Sequence, residues 1–130
     1  MPHIHIDYSR NLEARLDLPG LLTALRGALA VTGVFPLAGI RVRAVAVDHV
    51  VMADGDPKHG FLDISLRIGA GRDAATQTRV LDGVFAAAQA FCGPDMARRS
   101  LMLSMELREM DAGLSRKDSS IRDHLPKEGL

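Results

Sequence analysis

Aromatic residues are scarce in this chain: among 130 residues there are four phenylalanines, one tyrosine and no tryptophan. Few rings are left to stack on bases, and sixteen basic residues balance sixteen acidic ones, so no surplus field draws the chain to nucleic acid or to an anionic membrane. Cysteine is scarcer still. Cys92 stands alone and cannot close an internal disulfide, which fits a reducing compartment; its setting, Phe91-Cys92-Gly93, assigns it to packing rather than nucleophilic chemistry. No apolar run reaches the roughly 18 residues needed to span a bilayer. No signal-peptide pattern precedes the first strand, so the cytoplasm is the expected location. The length suits one domain with a core.

The patterned stretches alternate between two periods. Ile4, Ile6 and Tyr8 interleave with His3, His5 and Asp7, the period of a strand with unlike faces. Residues 9–15 are polar and read as a loop. Asp17 then caps a helix over residues 18–32, with Pro19 in its first turn, Leu18, Leu21, Leu22, Leu25 and Leu29 as its apolar stripe and Gly33 as its stop. A second strand over residues 40–47 sets Arg41 and Arg43 opposite Val42 and Ala44. Residues 50–52 offer a short pairing before the turn Asp54-Gly55-Asp56-Pro57. Residues 61–68 alternate most cleanly, with Leu62, Ile64, Leu66 and Ile68 on one face. After Gly69-Ala70-Gly71-Arg72-Asp73 comes a second helix, striped by Val80, Leu81, Val84, Phe85 and Ala88 and expected to stop at Gly93-Pro94. A last strand covers residues 101–110.

This order is β-α-β followed by β-α-β, two similar halves at about residues 2–58 and 59–110. The expected fold is a two-layer α+β domain over residues 1–110: a four-stranded mixed sheet with two helices on one face. The bare face is expected to meet another subunit. Residues 111–130 form a polar tail whose sparse anchors, Leu114, Ile121 and Leu125, suit packing on a neighbouring subunit.

Pro2 is the first candidate site residue. Initiator methionine is trimmed readily before a small residue, and trimming would free the secondary amine of Pro2 at the head of a rigid strand. An exposed α-amino group titrates at about 7.7 to 8.0, and burial or a nearby cation lowers that value, so such an amine can be a neutral base. With Met1 attached, Pro2 is an amide and has no basic lone pair. The segment at Gly69-Ala70-Gly71-Arg72-Asp73-Ala74 matches a dinucleotide fingerprint only formally, because Asp73 puts negative charge where phosphate would sit. Its better reading is a tight turn in which a helix start and Arg72 face one spot, suited to a carboxylate. His3 and His5 share a strand face at a spacing a metal could bridge, but no third ligand is evident, so no metal is expected. Arg41, opening the second strand after a loop, is a further candidate.

Taken together, Pro2 on the first strand, Pro36-Leu37-Ala38-Gly39-Ile40-Arg41, Met52-Ala53-Asp54-Gly55 and Ile68-Gly69-Ala70-Gly71-Arg72 resemble the 5-carboxymethyl-2-hydroxymuconate isomerase family. That family belongs to the tautomerase superfamily, with 4-oxalocrotonate tautomerase and macrophage migration inhibitory factor. The resemblance covers residues 2–110 and implies a homotrimeric, cofactor-free isomerase of aromatic-acid breakdown. It further implies Pro2 as the base, Arg72 as holder of a carboxylate and of developing oxyanion charge, and Arg41 as anchor of another carboxylate. Ile4 stands where an aromatic is expected, and the region around Val51 lacks a tryptophan found in some members. Two other readings keep the fold: a hydratase or dehalogenase of an unsaturated acid using protonated Pro2, and a catalytically silent trimeric binding protein.

Overall fold

The computed structural model describes residues 1–126. Its elements run β1 (His3–Ser9), α1 (Leu18–Val31), β2 (Arg41–Val47), β3 (Gly60–Gly69), α2 (Ala74–Met96) and β4 (Leu101–Met110). The strands form one sheet in the order β2-β1-β3-β4. Within each half the two strands are parallel, β1 with β2 and β3 with β4, while β1 and β3 meet antiparallel at the centre. The expected mixed sheet of two β-α-β units is therefore present, and the register pairs His3 with Arg41 on one side and with Arg67 on the other.

Alternation decides which face is covered. Ile4 and Ile6 of β1 and Leu62, Ile64, Leu66 and Ile68 of β3 are fully buried beneath Leu21, Leu25 and Leu29 of α1 and Val80, Val84 and Ala88 of α2. Removing each of the isoleucine, leucine and valine side chains from water stabilises the fold by about 1.5 to 3 kcal/mol. Cys92 joins this core, and burial, then Asp95, pushes its thiol up to about 11, so it is inert packing. On the opposite face stand His5, Asp7, Arg43, Asp63, Ser104, Glu106 and Arg108, linked by pairs such as Arg43 to His5 and Ser104 to Asp63.

Three local expectations are corrected. Residues 10–14 are not loop but a 3-10 turn (Arg10–Ala14) that drives Leu12 fully into the core. Residues 50–52 add no strand; Gly55 N–H instead closes a turn on the Met52 carbonyl, with Ala53 at φ 52° and Gly55 at φ 85°. Helix α2 runs through Gly93-Pro94 to Met96. Gly93 lacks the β-carbon that would clash with the proline ring, and Pro94 sits in the last turn, where few bonds follow it. The last turn is then held from outside, because Arg15 pairs with buried Asp95 at 2.6 Å.

Beyond β4, two short 3-10 turns, Ala112–Leu114 and Ile121–His124, carry the chain back toward the end of α1. Residues 127–130 of the expected tail lie outside the described residues. No helix among the described residues is long and apolar enough to cross a membrane.

Candidate functional site

Met1 and Pro2 meet two glycines at the end of the sheet where β1 begins and β3 finishes. A β-carbon at Gly39 would stand 3.7 Å from both Met1 Cα and Pro2 Cδ, and one at Gly69 would stand 3.7 Å from the Met1 nitrogen. Bare backbone on both sides lets the chain start approach closely. Pro2 is buried, and its carbonyl accepts the Arg41 N–H at 3.2 Å, which extends the β1–β2 pairing to the first residues.

Arg72 is brought to the same point. The hypothetical Gly69 β-carbon lies 3.6 Å from Arg72 Nη1, so the guanidinium and the Met1 amine flank one spot. The guanidinium lies 4.8 Å from the centroid of the Phe35 ring and donates to the carbonyls of Gly69 at 3.1 Å and Val34 at 3.4 Å. Gln77 Nε2 donates to the Arg72 carbonyl and steadies the backbone. Among the described residues no carboxylate pairs with Arg72. Its positive charge is therefore held in place by a ring and two carbonyls without being neutralised. Burial, then Arg72 and Lys117, lowers the Met1 amine below the ordinary value of 8.0.

The helix start itself contributes less than expected. Asp73 caps the Thr76 amide at 2.8 Å and Glu109 accepts from the Gly71 amide at 3.3 Å. Those amides are already engaged by the chain's own carboxylates, and Arg72 alone of these groups meets no carboxylate among the described residues.

Arg41 is not beside Arg72. Its side chain lies on the bare sheet face, where Arg41 Nη2 and Arg67 Nη2 each stand 3.1 Å from His3 Nδ1. Burial, followed by the Arg41 and Arg67 charges, lowers the His3 pKa to about 4, so the ring is neutral and Nδ1 accepts from both guanidiniums. Sequence reasoning missed Arg67 here; the antiparallel register of β1 and β3 is what places it, and no local motif carries that information. His3 and His5 are thus engaged by arginines rather than directed to a shared cation, since His5 bonds Arg43 and Asp7.

A second cluster stands at the other end of the sheet. His59 Nδ1 meets Ser100 Oγ at 2.6 Å and His59 Nε2 meets Asp54 Oδ1 at 2.7 Å, the order of a nucleophile, base and acid. The neighbouring amides are already used: Ala97 N–H donates to Gly93, and Arg98 and Arg99 N–H both donate to the Asp95 carbonyl. They offer no oxyanion pair beside Ser100. The cluster acts as a clip, tying the 48–59 crossover to the start of β4 together with the Asn11 bonds to the Pro57 and His59 carbonyls.

Comparison with known proteins gives the chain a family. A family model described as 5-carboxymethyl-2-hydroxymuconate isomerase matches residues 2–125. The chain belongs to that family. The 5-carboxymethyl-2-hydroxymuconate Delta-isomerase of Escherichia coli is 36% identical over 121 residues, which span 93% of this chain and 96% of its relative. A crystal structure of a 5-carboxymethyl-2-hydroxymuconate delta-isomerase has a TM-score of 0.90 at 29% identity, over 98% of this chain and 94% of that one. The 5-carboxymethyl-2-hydroxymuconate isomerase of Deinococcus radiodurans R1 has a TM-score of 0.87 at 33% identity, over 95% and 92% of the two chains. This protein is accordingly an isomerase with the tautomerase fold. A macrophage migration inhibitory factor-like protein from Entamoeba histolytica, 16% identical with a TM-score of 0.58, shares that fold.

Proposed function

We propose that this isomerase moves a proton within an unsaturated 2-hydroxy or 2-oxo di- or tricarboxylate of the 5-carboxymethyl-2-hydroxymuconate type, in aromatic-acid breakdown, with the Pro2 amine as base. The observation that carries the reading is the unneutralised Arg72 guanidinium set against the chain start, between two glycines that leave room there. Removing Met1 frees the Pro2 nitrogen and vacates the space that Met1 occupies between Gly39 and Gly69. The neutral nitrogen takes an acidic proton from the bound acid, and the resulting ammonium returns it further along the conjugated chain. Arg72 binds a carboxylate and stabilises the dienolate oxygen as its charge develops. No external oxidant or reductant enters the balance.

Arg41 anchors a second carboxylate. Because its side chain lies on the bare face with His3, it serves a pocket formed with a neighbouring copy, and the functional unit is a homotrimer packed through that face. Burial and the Arg72 charge lower the Met1 amine, and the same surroundings acting on a freed Pro2 nitrogen would favour the base role over the acid role that hydration or dehalogenation requires. Intact mass establishes loss of Met1, and ketonisation of 2-hydroxymuconate and its carboxymethyl derivative is then followed for native protein, Pro2→Ala and Arg72→Ala. Turnover in native protein that falls by about 100-fold or more in each variant supports the reading. Silence of fully processed native protein supports a binding role instead.

A further inference from the structure

Phe35 has a second neighbour besides Arg72. Its ring forms part of the wall of a cavity of about 480 Å³, continued by Pro36, Leu37 and Ile40 and closed by Arg122 and Leu125 of the tail. The volume falls within the range of small-molecule sites, and a mostly apolar wall with one convergent cation is the usual composition of such a site. The cavity adjoins the candidate site twice: through Phe35 to Arg72, and through the Leu37–Gly39 turn to Met1 and Pro2. Leu125 is the half-buried anchor that seats the tail. Among the described residues Arg122 has no ion-pair partner, so its charge at this cavity is matched by none of their carboxylates.

We propose that this cavity is the distal subsite for the acid's unsaturated chain and that Arg122 selects substrates carrying a further carboxylate arm. The inference rests on the isomerase reading above and adds to it a specificity residue from the tail. The conjugated carbons of such an acid lie against Phe35, Pro36 and Ile40, losing water as they do so. Arg72 holds the carboxylate near the reacting atoms, and Arg122 binds the one at the far end through paired hydrogen bonds. The tail also acts on the site through charge: Lys117, after burial and Arg72, is among the causes that lower the Met1 amine. In this reading residues 111–126 form a strap from which Lys117 and Arg122 favour polyanionic substrates over simpler ones.

The test compares two acids that differ only in the arm, 5-carboxymethyl-2-hydroxymuconate and 2-hydroxymuconate, on Met1-free native protein, Arg122→Ala and Arg122→Lys. The proposal expects the ratio of kcat/KM for the first acid to that for the second to fall about ten-fold or more in Arg122→Ala, mainly through KM, because uniform binding is lost. Partial recovery in Arg122→Lys is expected, since a point charge replaces a fork. A ratio that stays constant, whether both acids lose turnover together or neither does, overturns the role of Arg122 while leaving the isomerase reading standing. Native protein that turns over neither acid overturns that reading, and this subsite with it.

Discussion

The two β-α-β halves each place an arginine just before their helix, and the two arginines meet different surroundings. Arg15, before α1, reaches the start of β3, where it donates to the Asp95 carboxylate at 2.6 Å and to the Ser100 carbonyl at 3.1 Å. Arg72, before α2, reaches the start of β1, where it finds the Phe35 ring and two carbonyls. One charge is cancelled inside the fold, and the other meets no carboxylate among the described residues. The strand starts differ in the same sense: His59 and Gly60 are sealed by Asp54, Ser100 and the continuing chain, whereas Met1 and Pro2 open between Gly39 and Gly69. Two similar halves thus yield one sealed end and one end that the proposed reaction uses.

Asp95→Ala breaks the structural end most severely. It leaves Arg15 buried without its carboxylate, and a cost of about 3 to 5 kcal/mol is expected in denaturant unfolding, with turnover per folded molecule unchanged. Acid should produce the same loss gradually. The Arg15 hydrogen bond holds Asp95 below the ordinary 3.8, so its contribution is complete above that value and disappears as pH falls through the lower, folded-state pKa.

Gly60→Ala should act at the same end with a smaller effect. A β-carbon there would stand 2.7 Å from Leu12 Cδ2 and 2.8 Å from Arg15 Nη1, so overpacking of about 1 to 3 kcal/mol is expected. The matched change Gly69→Ala meets its neighbours at 3.6 and 3.7 Å, ordinary contact distances, and should leave stability within about 1 kcal/mol. Equal thermal losses in the two variants would erase the contrast between the ends.

His3 provides the mildest test, through pH. Its folded pKa of about 4 lies below the ordinary 6.5, so the unfolded chain binds the proton first and stability declines as pH falls from about 6.5 toward 4. His3→Phe should flatten that decline, as read from unfolding midpoints across the interval. An unchanged slope would mean that burial and the Arg41 and Arg67 charges do not hold the ring neutral.

Much of this architecture was legible in the chain. Strict alternation in β1 and β3 and the leucine spacing of α1 specify elements, faces and burial by themselves, because period and burial are the same physical fact. The end of α2 was not legible, since Pro94 reads as a stop and only the distant Arg15–Asp95 pair explains why the helix continues. Arg72 was visible as a helix-start cation, but its lack of a counter-ion is a tertiary property. The same holds for Arg67 on His3 and for Arg122 at the cavity, each brought into place by register or by the path of the tail.

The most direct measurement is the pKa of the Pro2 nitrogen in Met1-free protein, followed by nitrogen NMR in native protein and in Arg72→Ala. The account predicts a native value below the roughly 7.7 to 8.0 of an exposed amine, rising when the Arg72 charge is removed. A native value above that range, unmoved by Arg72→Ala, would contradict the claim that the unneutralised arginine makes this chain start a base.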